Sequence, residues 1–188
     1  MKSLRITDWC HEIFRAYVRE NGVYIDGTMG KGMDTLFLCH LAGEEGKVYA
    51  FDVQEKALEM TRLLLEKEGV RGRARLIRDG HEHMDAYLPP ESADGICFNF
   101  GYLPGGDHRI ATKPETSVEA VKKGLGLLKQ NGVMSLCIYS GGDTGFAEKE
   151  ALLHFLGGLP ANQFTVILNS YYNRENHPPI PAFVFKRR

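Results

Sequence analysis

Val23-Tyr-Ile-Asp-Gly-Thr-Met-Gly-Lys-Gly-Met-Asp34 is the stretch of sequence that decides the fold. An apolar run stops at Asp26, glycines follow at positions 27, 30 and 32, and a helix-like segment begins near Asp34. Glycine allows a tight turn and lets the backbone come close to a ligand. The stretch therefore predicts a strand, a glycine turn and a helix, the arrangement that holds nucleotide-type cofactors.

A second apolar run, Val48–Phe51, ends at Asp52. An acid at this place suits the hydroxyls of a ribose, which donate hydrogen bonds to a carboxylate. The order of the glycines separates two cofactor classes, because dinucleotide-binding proteins use G-x-G-x-x-G. Here the order is G-x-x-G-x-G and an acid precedes it. A nicotinamide-dependent oxidoreductase is therefore a disfavoured alternative.

Strands and helices alternate along the rest of the chain. The apolar runs predict strands at 23–26, 47–52, 74–79, 94–99, 133–139, 163–170 and 181–186. Helical spacing predicts helices at 33–42, 54–68, 81–88, 115–130 and 144–157, after an N-terminal helix within 1–21 that packs on the core. This alternation is typical of an α/β fold, a mostly parallel sheet with helices on both faces. No helix separates the last two strands, so we expect an antiparallel last strand at an edge.

Length and composition narrow the class of protein. A chain of 188 residues without a linker predicts a single domain, 1–188. A net charge of −1 argues against a general nucleic-acid-binding coat, although basic clusters such as 71–78 leave room for a local basic face. No apolar run approaches the ~20 residues of a membrane span. Four scattered cysteines and the lack of metal-ligand spacing predict free thiols, no metal site and a cytoplasmic location.

The glycine turn led by an acid resembles the first motif of the class I methyltransferases. That resemblance implies a Rossmann-like, seven-stranded sheet with an antiparallel last strand, and S-adenosyl-L-methionine as cofactor. The residues expected to bind the cofactor along the turn are Asp26, Gly27, Thr28, Met29, Gly30, Lys31, Gly32 and Asp34. Asp26 would meet its amino group, directly or through water, and the helix N-terminus would attract its carboxylate.

Three further strand ends complete the expected cofactor site, because ligands of open α/β sheets lie at the carboxyl ends of the strands. Asp52 would accept hydrogen bonds from the ribose. Either Val53 or Gln54 would lie beside the adenine. The residues expected near the adenine amino group are Asp79, Gly80 and His81, and the last strand end brings Asn99 and Phe100. Each acid has an alternative role, since Asp and Asn also cap helices well.

The run Asn99-Phe-Gly-Tyr-Leu-Pro-Gly-Gly-Asp-His108 opens a loop of about 15 residues, and loops of such length are usually functional or disordered. Its start resembles the N-P-P-Y motif of methyltransferases that act on amino groups, although Phe100 and Gly101 replace the prolines. Methyl transfer to nitrogen depends mostly on positioning, and an oxygen of Asn99 can accept the N–H bonds of the amine. Tyr102 is placed to stack on a base, and Asp107 and His108 are candidate bases for an ammonium substrate.

Two more loops are expected at the same rim. One follows the fifth strand and carries Tyr139, and the other precedes the last strand. The residues expected to bind a nucleotide and its phosphate are Tyr139, Arg174, Asn176 and His177. A plain surface loop is an equally open interpretation of both.

Nearly the whole chain resembles one methyltransferase family, labelled as ribosomal-RNA methylases. The marks of the resemblance are the runs 26–35, 52–54, 81–82, 99–108, 139–142 and 176–179. Characterised members methylate the amine of 5-aminomethyl-2-thiouridine at the wobble position of tRNA. The resemblance therefore implies an S-adenosylmethionine-dependent enzyme whose partner is the anticodon region of tRNA, with a homodimer as a further expectation. The alternatives are a small-molecule or rRNA N-methyltransferase, the oxidoreductase, and a binding protein without activity.

Overall fold

The computed structural model describes residues 5–101, 112–139, 142–176 and 178–187, and for 142–144 the backbone only. The helices are α1 (Ile6–Tyr17), α2 (Met33–Ala42), α3 (Glu55–Lys67), α4 (Pro114–Leu127) and α5 (Gly142–Gly157). The strands are β1 (Val23–Asp26), β2 (Lys47–Phe51), β3 (Ala74–Ile77), β4 (Ala93–Phe100), β5 (Leu128–Ile138), β6 (Phe164–Leu168) and β7 (Ile180–Lys186). Two short 3-10 helices cover Arg71–Arg73 and His81–Ala86.

The strands form one seven-stranded sheet in the order β3-β2-β1-β4-β5-β7-β6. The first five strands pair in parallel, and β7 runs antiparallel to both β5 and β6. The predicted α/β class and the antiparallel last strand are therefore confirmed. The edge prediction is wrong in one respect, because β7 lies between β5 and β6 and β6 forms the edge. After α5 the chain forms β6 with a gap of one strand between it and β5, and the hairpin from β6 to β7 then places β7 in that gap.

Each face of the sheet has its own apolar core. One core joins Ile25, Phe98 and Met134 to the inner sides of α4 and α5. The other joins Tyr24 and Val133 to α2, α3 and the buried Phe14 of α1. Successive strand residues point to opposite faces, so neighbours such as Tyr24 and Ile25 enter different cores. This two-sided burial explains why the parallel strands are continuously apolar in sequence.

The fifth strand begins earlier than predicted. Leu128 pairs with Ala93, so Lys129 and Gln130 belong to β5 and not to the preceding helix. Asn131 adopts a positive φ of 63°, and the register of β4 against β5 shifts at this point. Asn131-Gly132 therefore forms an irregularity inside the strand, where the sequence predicted the turn after a helix.

The described ranges contain neither a membrane-spanning helix nor a cluster of metal ligands. In that part of the chain, no helix is both long and apolar enough to cross a membrane. The same residues contain no group of three or more His, Cys, Asp or Glu placed to hold a metal ion.

Candidate functional site

The glycine turn forms the centre of the site, at the carboxyl end of β1. Gly30 and Gly32 have φ angles of 53° and 81°, which residues other than glycine rarely adopt. Gly27 is required for a different reason, since a Cβ atom there would lie 2.2 Å from Cε1 of Phe98. The Met29 and Gly27 N–H groups donate to the carbonyls of Phe51 and Cys97, which ties the turn to the strands on both sides.

Asp26 lies under this turn and is fully buried. One carboxylate oxygen accepts a hydrogen bond of 3.0 Å from the Thr28 N–H, and the other accepts one of 2.6 Å from the Thr35 hydroxyl. Burial raises the pKa of Asp26 to about 7, and the nearby Asp34 carboxylate acts in the same direction. No cationic side chain among the described residues forms an ion pair with Asp26. A buried carboxylate of this kind suits a cationic ligand.

Asp52 spans the space between the glycine turn and α3. One of its oxygens accepts the Gly30 N–H at 3.0 Å, and the other accepts the Gln54 N–H at 2.9 Å. Each carboxylate oxygen has two lone pairs, so both oxygens can still accept from a ribose. Asp52 does not cap α3, because the N-cap of this helix is Gln54 and no side chain caps it. The Asp52 carboxylate instead accepts the Gln54 N–H in a turn that precedes the helix. The same contacts fix the carboxylate beside the turn.

Asn99, at the end of β4, belongs to a chain of polar contacts that spans three elements. Its side-chain amide donates to a carboxylate oxygen of Asp34 in α2, and its backbone N–H donates to the Thr28 hydroxyl at 2.6 Å. The other oxygen of Asp34 lies 2.7 Å from Nε2 of His11 in α1. The His11 ring stacks on Phe37 at 3.8 Å between centroids. The N-terminal helix therefore reaches the predicted reactive residue through Asp34.

A cavity of about 10 Å³ lies inside this network. It is lined by Thr7, Cys10, His11, Asp34, Cys97, Phe98, Asn99, Ser135 and Cys137. One water needs roughly this much room, so no substrate fits here. The small size of the cavity shows that residues pack closely around Asn99, and this packing limits the rotation of the Asn99 side chain.

Asp79 and its neighbours form a separate polar group beyond β3. Asp79 accepts hydrogen bonds from the Gly80 N–H, the His83 ring and the Tyr87 hydroxyl, each at 2.8 Å. The bond from His83 lowers the pKa of Asp79. None of these contacts caps the 3-10 helix, because its N-cap is Gly80 and no side chain caps it. The expected place of Asp79 near the adenine amino group stays a prediction.

His81 lies buried beneath the glycine turn, and its Nδ1 is 3.3 Å from the Gly27 carbonyl oxygen. Because a carbonyl only accepts, Nδ1 carries the proton and Nε2 is left as an acceptor. Burial lowers the pKa of His81 and keeps the ring neutral. Across the described part of the chain, Nε2 is a buried polar atom without a hydrogen-bond partner.

Other predicted cofactor residues differ in exposure. Phe100 is fully buried and stacks on Phe98 at 5.0 Å, so it packs in the core beneath the site and is not open to a ligand in this structure. Met29 is also a core residue, whereas Lys31 and Val53 are exposed at the mouth of the turn.

The predicted substrate residues are spread along the rim. Tyr139 follows β5, two residues after Cys137, which is the strand partner of Asn99. Arg174 and Asn176 lie farther out in an exposed segment between β6 and β7. The remaining predicted residues lie outside the described part of the chain: Tyr102, Asp107, His108 and His177.

Two residues near the site were not singled out from the sequence, His11 and Trp9. Both belong to α1, which the sequence analysis treated only as a packing helix. The available signal was the place of His11 among apolar neighbours, one helical turn before the buried Phe14. A histidine on the inner face of a helix needs a polar partner, and Asp34 is that partner.

Comparison with known proteins identifies a family and several relatives. Residues 48–185 match the family described as "Putative rRNA methylase". The Arabidopsis thaliana protein named tRNA (mnm(5)s(2)U34)-methyltransferase, chloroplastic, is 33% identical over an alignment of 196 positions, which covers 97% of this chain and 70% of the relative. Its name carries a chloroplast location, so a cytoplasmic location for this chain stays a prediction.

Two crystal structures share the fold along their whole length. A "putative rRNA-methylase" from Clostridium thermocellum is 40% identical and has a TM-score of 0.94, covering 99% of this chain and 100% of that one. SMU.1697c from Streptococcus mutans, a "putative methyltransferase" in complex with SAH, is 38% identical with a TM-score of 0.88, covering 98% of this chain and 99% of that one. None of these findings tests the expected homodimer.

Proposed function

The chain belongs to the family described as "Putative rRNA methylase" and is a methyltransferase that uses S-adenosylmethionine, and we propose that it methylates the 5-aminomethyl group of wobble 2-thiouridine in tRNA. The family membership removes the oxidoreductase alternative. The name of the Arabidopsis relative, which aligns with 97% of this chain, supports tRNA as the RNA. The geometry at Asn99 supports an amine as the acceptor of the methyl group.

The orientation of the Asn99 amide is the observation that carries the proposal. Asp34 is a carboxylate, which only accepts hydrogen bonds, so Asn99 must turn its NH₂ group toward Asp34. The amide oxygen of Asn99 then remains to accept an N–H bond from the substrate. An amine held through its N–H bond presents its lone pair in a fixed direction, which is the positioning that methyl transfer requires.

The residues at the glycine turn fit the cofactor on three counts. S-adenosylmethionine supplies a methyl group on a positively charged sulfur. Asp26 offers a buried negative charge of the kind that an ammonium group balances. The N-terminus of α2, at Gly32–Asp34, presents backbone N–H groups to a carboxylate. Asp52 keeps lone pairs for ribose hydroxyls, and Gln54 starts the helix beside it.

His11 and Asp34 act as positioning residues in this mechanism. His11 holds one oxygen of Asp34 at 2.7 Å, and the other oxygen holds Asn99. Asp34 therefore has little freedom to rotate, and Asn99 keeps its amide oxygen on the substrate side. The base that removes a proton from the ammonium form of the substrate is predicted to be Asp107 or His108.

The decisive experiment uses tRNA from cells that lack the wobble methylation and so carry the free aminomethyl group. The purified enzyme and S-adenosylmethionine should convert this nucleoside to its methylamino form, detected by nucleoside mass spectrometry. An Asn99→Ala variant should bind S-adenosylhomocysteine normally in calorimetry and transfer the methyl group much more slowly.

Two further arms separate the alternatives. Ribosomal subunits and a metabolite extract are incubated with the same enzyme and a labelled methyl donor. Label in rRNA or in a metabolite, with unchanged tRNA, would overturn the proposed substrate while leaving the methyltransferase activity in place. Loss of cofactor binding in Asn99→Ala would contradict the role given to this residue.

A further inference from the structure

A second, larger cavity lies at the same rim as Asn99, on the other side of α1. Its volume is about 220 Å³. It is lined by Ile6, Trp9, Asn169, Ser170, Tyr171 and Pro181. Drug-sized ligands occupy pockets of roughly 300–1,000 Å³, so this cavity suits a single planar ring system.

Strand register fixes the place of the cavity relative to the reactive residue. Asn99 pairs with Cys137 on β5, and Cys137 pairs with Pro181 on β7. Asn99 and Pro181 are therefore two strand spacings apart, or ~10 Å. Thr7 and His11 of α1 line the small cavity beside Asn99, whereas Ile6 and Trp9 of the same helix line this one. A substrate whose reacting amine lies at Asn99 reaches this cavity if it extends from β4 toward β7.

The lining of the cavity has the chemistry of a nucleotide site. Trp9 and Tyr171 supply aromatic surface, on which bases of single-stranded RNA stack. Trp9 Nε1 donates a hydrogen bond of 3.4 Å to the amide oxygen of Asn169, so the Asn169 side chain turns its NH₂ group away from Trp9, where that group can donate to a base. The Arg174 guanidinium lies 4.2 Å from the centroid of the Tyr171 ring. It places a positive charge beside the aromatic wall, where a phosphate would lie.

We propose that this cavity binds the base of a nucleotide next to the methylated one in single-stranded RNA, with Arg174 at the connecting phosphate. The inference rests on the proposed function and adds a subsite to it. Arginine next to the opening favours a charged nucleic acid over a neutral metabolite or an apolar protein side chain, because neither of these brings a phosphate.

The chain offers a matched pair of variants for the test. Tyr171 lines the cavity, and Tyr172 is a neighbouring tyrosine that is fully exposed. Loss of one stacked base weakens binding roughly fivefold to a hundredfold. Tyr171→Ala should raise the Kd for a labelled anticodon stem-loop by a factor in that range, Tyr171→Phe should restore it, and Tyr172→Ala should leave it unchanged.

A second measurement does not depend on any variant folding correctly. Trp9 is the one tryptophan of the chain, so its fluorescence reports on the cavity alone. Stacking of a base on the indole should quench this fluorescence when the stem-loop is added. A stem-loop made abasic on one side of the wobble nucleotide should bind the wild-type protein more weakly and quench its fluorescence less.

The outcomes separate this inference from the proposed function. The subsite would be overturned, and the function left intact, by three results together. The tRNA is methylated but Tyr171→Ala leaves the Kd unchanged, Trp9 is not quenched, and neither flanking abasic site has an effect. Quenching by a stem-loop without any methylation of tRNA would refute the proposed substrate instead. Quenching by free nucleosides alone, with no effect of the abasic sites, would assign the cavity to a small molecule and overturn the inference.

Discussion

Cofactor affinity should rise as the pH rises from 6 to 8, because Asp26 has to be ionised to balance a cationic ligand. Its carboxyl is fully buried and its pKa is raised to about 7, mainly by burial and then by Asp34. An ammonium group beside Asp26 stabilises the ionised form and lowers the pKa again. Binding near neutral pH is therefore coupled to the release of a proton from Asp26.

The size of this effect follows from the titration. With a pKa of about 7 in the free protein, Asp26 is ionised in about one molecule in ten at pH 6 and in nine in ten at pH 8. The Kd should fall about tenfold over this range, which corresponds to ~1.4 kcal/mol.

The free energy of unfolding of the ligand-free protein should show the opposite trend. The ordinary pKa of this carboxyl is 3.8, and the folded state raises it to about 7. The folded state therefore binds the proton more tightly than the unfolded state, and stability is lost as the pH rises from about 4 to 7. Three pKa units correspond to ~4 kcal/mol as an upper bound.

Isothermal titration calorimetry with S-adenosylhomocysteine, in buffers of different ionisation enthalpy, measures both the Kd and the proton release. Asp26→Asn is the matched control, since it keeps the size of the side chain and the titration of the ligand itself. The affinity of Asp26→Asn should be weak, and its Kd should vary with pH only through the ionisation of the ligand. If the wild-type and Asp26→Asn profiles run parallel between pH 6 and 8, the reasoning about Asp26 is refuted.

Three further changes test the contacts of the site. Asp34→Ala removes the partner of the Asn99 amide. The loss of a hydrogen bond to a charged group, ~1.5–3 kcal/mol, should lower the rate constant of methyl transfer about tenfold to a hundredfold in single-turnover assays. An unchanged rate constant would show that Asn99 needs no such support. Gly27→Ala places a Cβ atom 2.2 Å from the Phe98 ring. Overpacking of this kind costs about 1–3 kcal/mol, so calorimetric Tm should fall by several degrees, and an unaltered Tm would contradict the predicted clash. Asp52→Ala frees two backbone N–H groups and should weaken S-adenosylhomocysteine binding at least about tenfold, with kcat at saturating cofactor much less affected; a normal Kd would remove Asp52 from the ribose site.

Most of the sheet and the glycine turn were predictable from sequence because their signals are local. Asp26, the three glycines and α2 follow one another within a few residues, and the positive φ angles at Gly30 and Gly32 need glycine wherever such a turn occurs. The strand ends at Asp52 and Asn99 were predictable for the same reason. A run of apolar residues stops at a polar one, which marks the rim of a parallel sheet.

The contacts across the site were not predictable, because they join distant parts of the chain. His11 meets Asp34 across 23 positions, and Trp9 meets Asn169 across 160. Neither residue has a local pattern that specifies its partner. The start of β5 was missed because Lys129 and Gln130 continue the helical spacing of α4, while pairing of Leu128 with Ala93 decides their conformation. Tertiary pairing overrides local preference at such boundaries.

The thiols of α1 and β5 give the enzyme a built-in reporter. Cys10 of α1 and Cys137 of β5 line the same small cavity, and both are buried. The neighbouring Cys10 thiol, together with burial, raises the pKa of Cys137, so the sulfur is protonated and shielded from electrophiles. We expect a maleimide to react with Cys137 only when α1 separates from β5. The rate at which Cys137 is labelled therefore measures how often the helix that bears His11 opens.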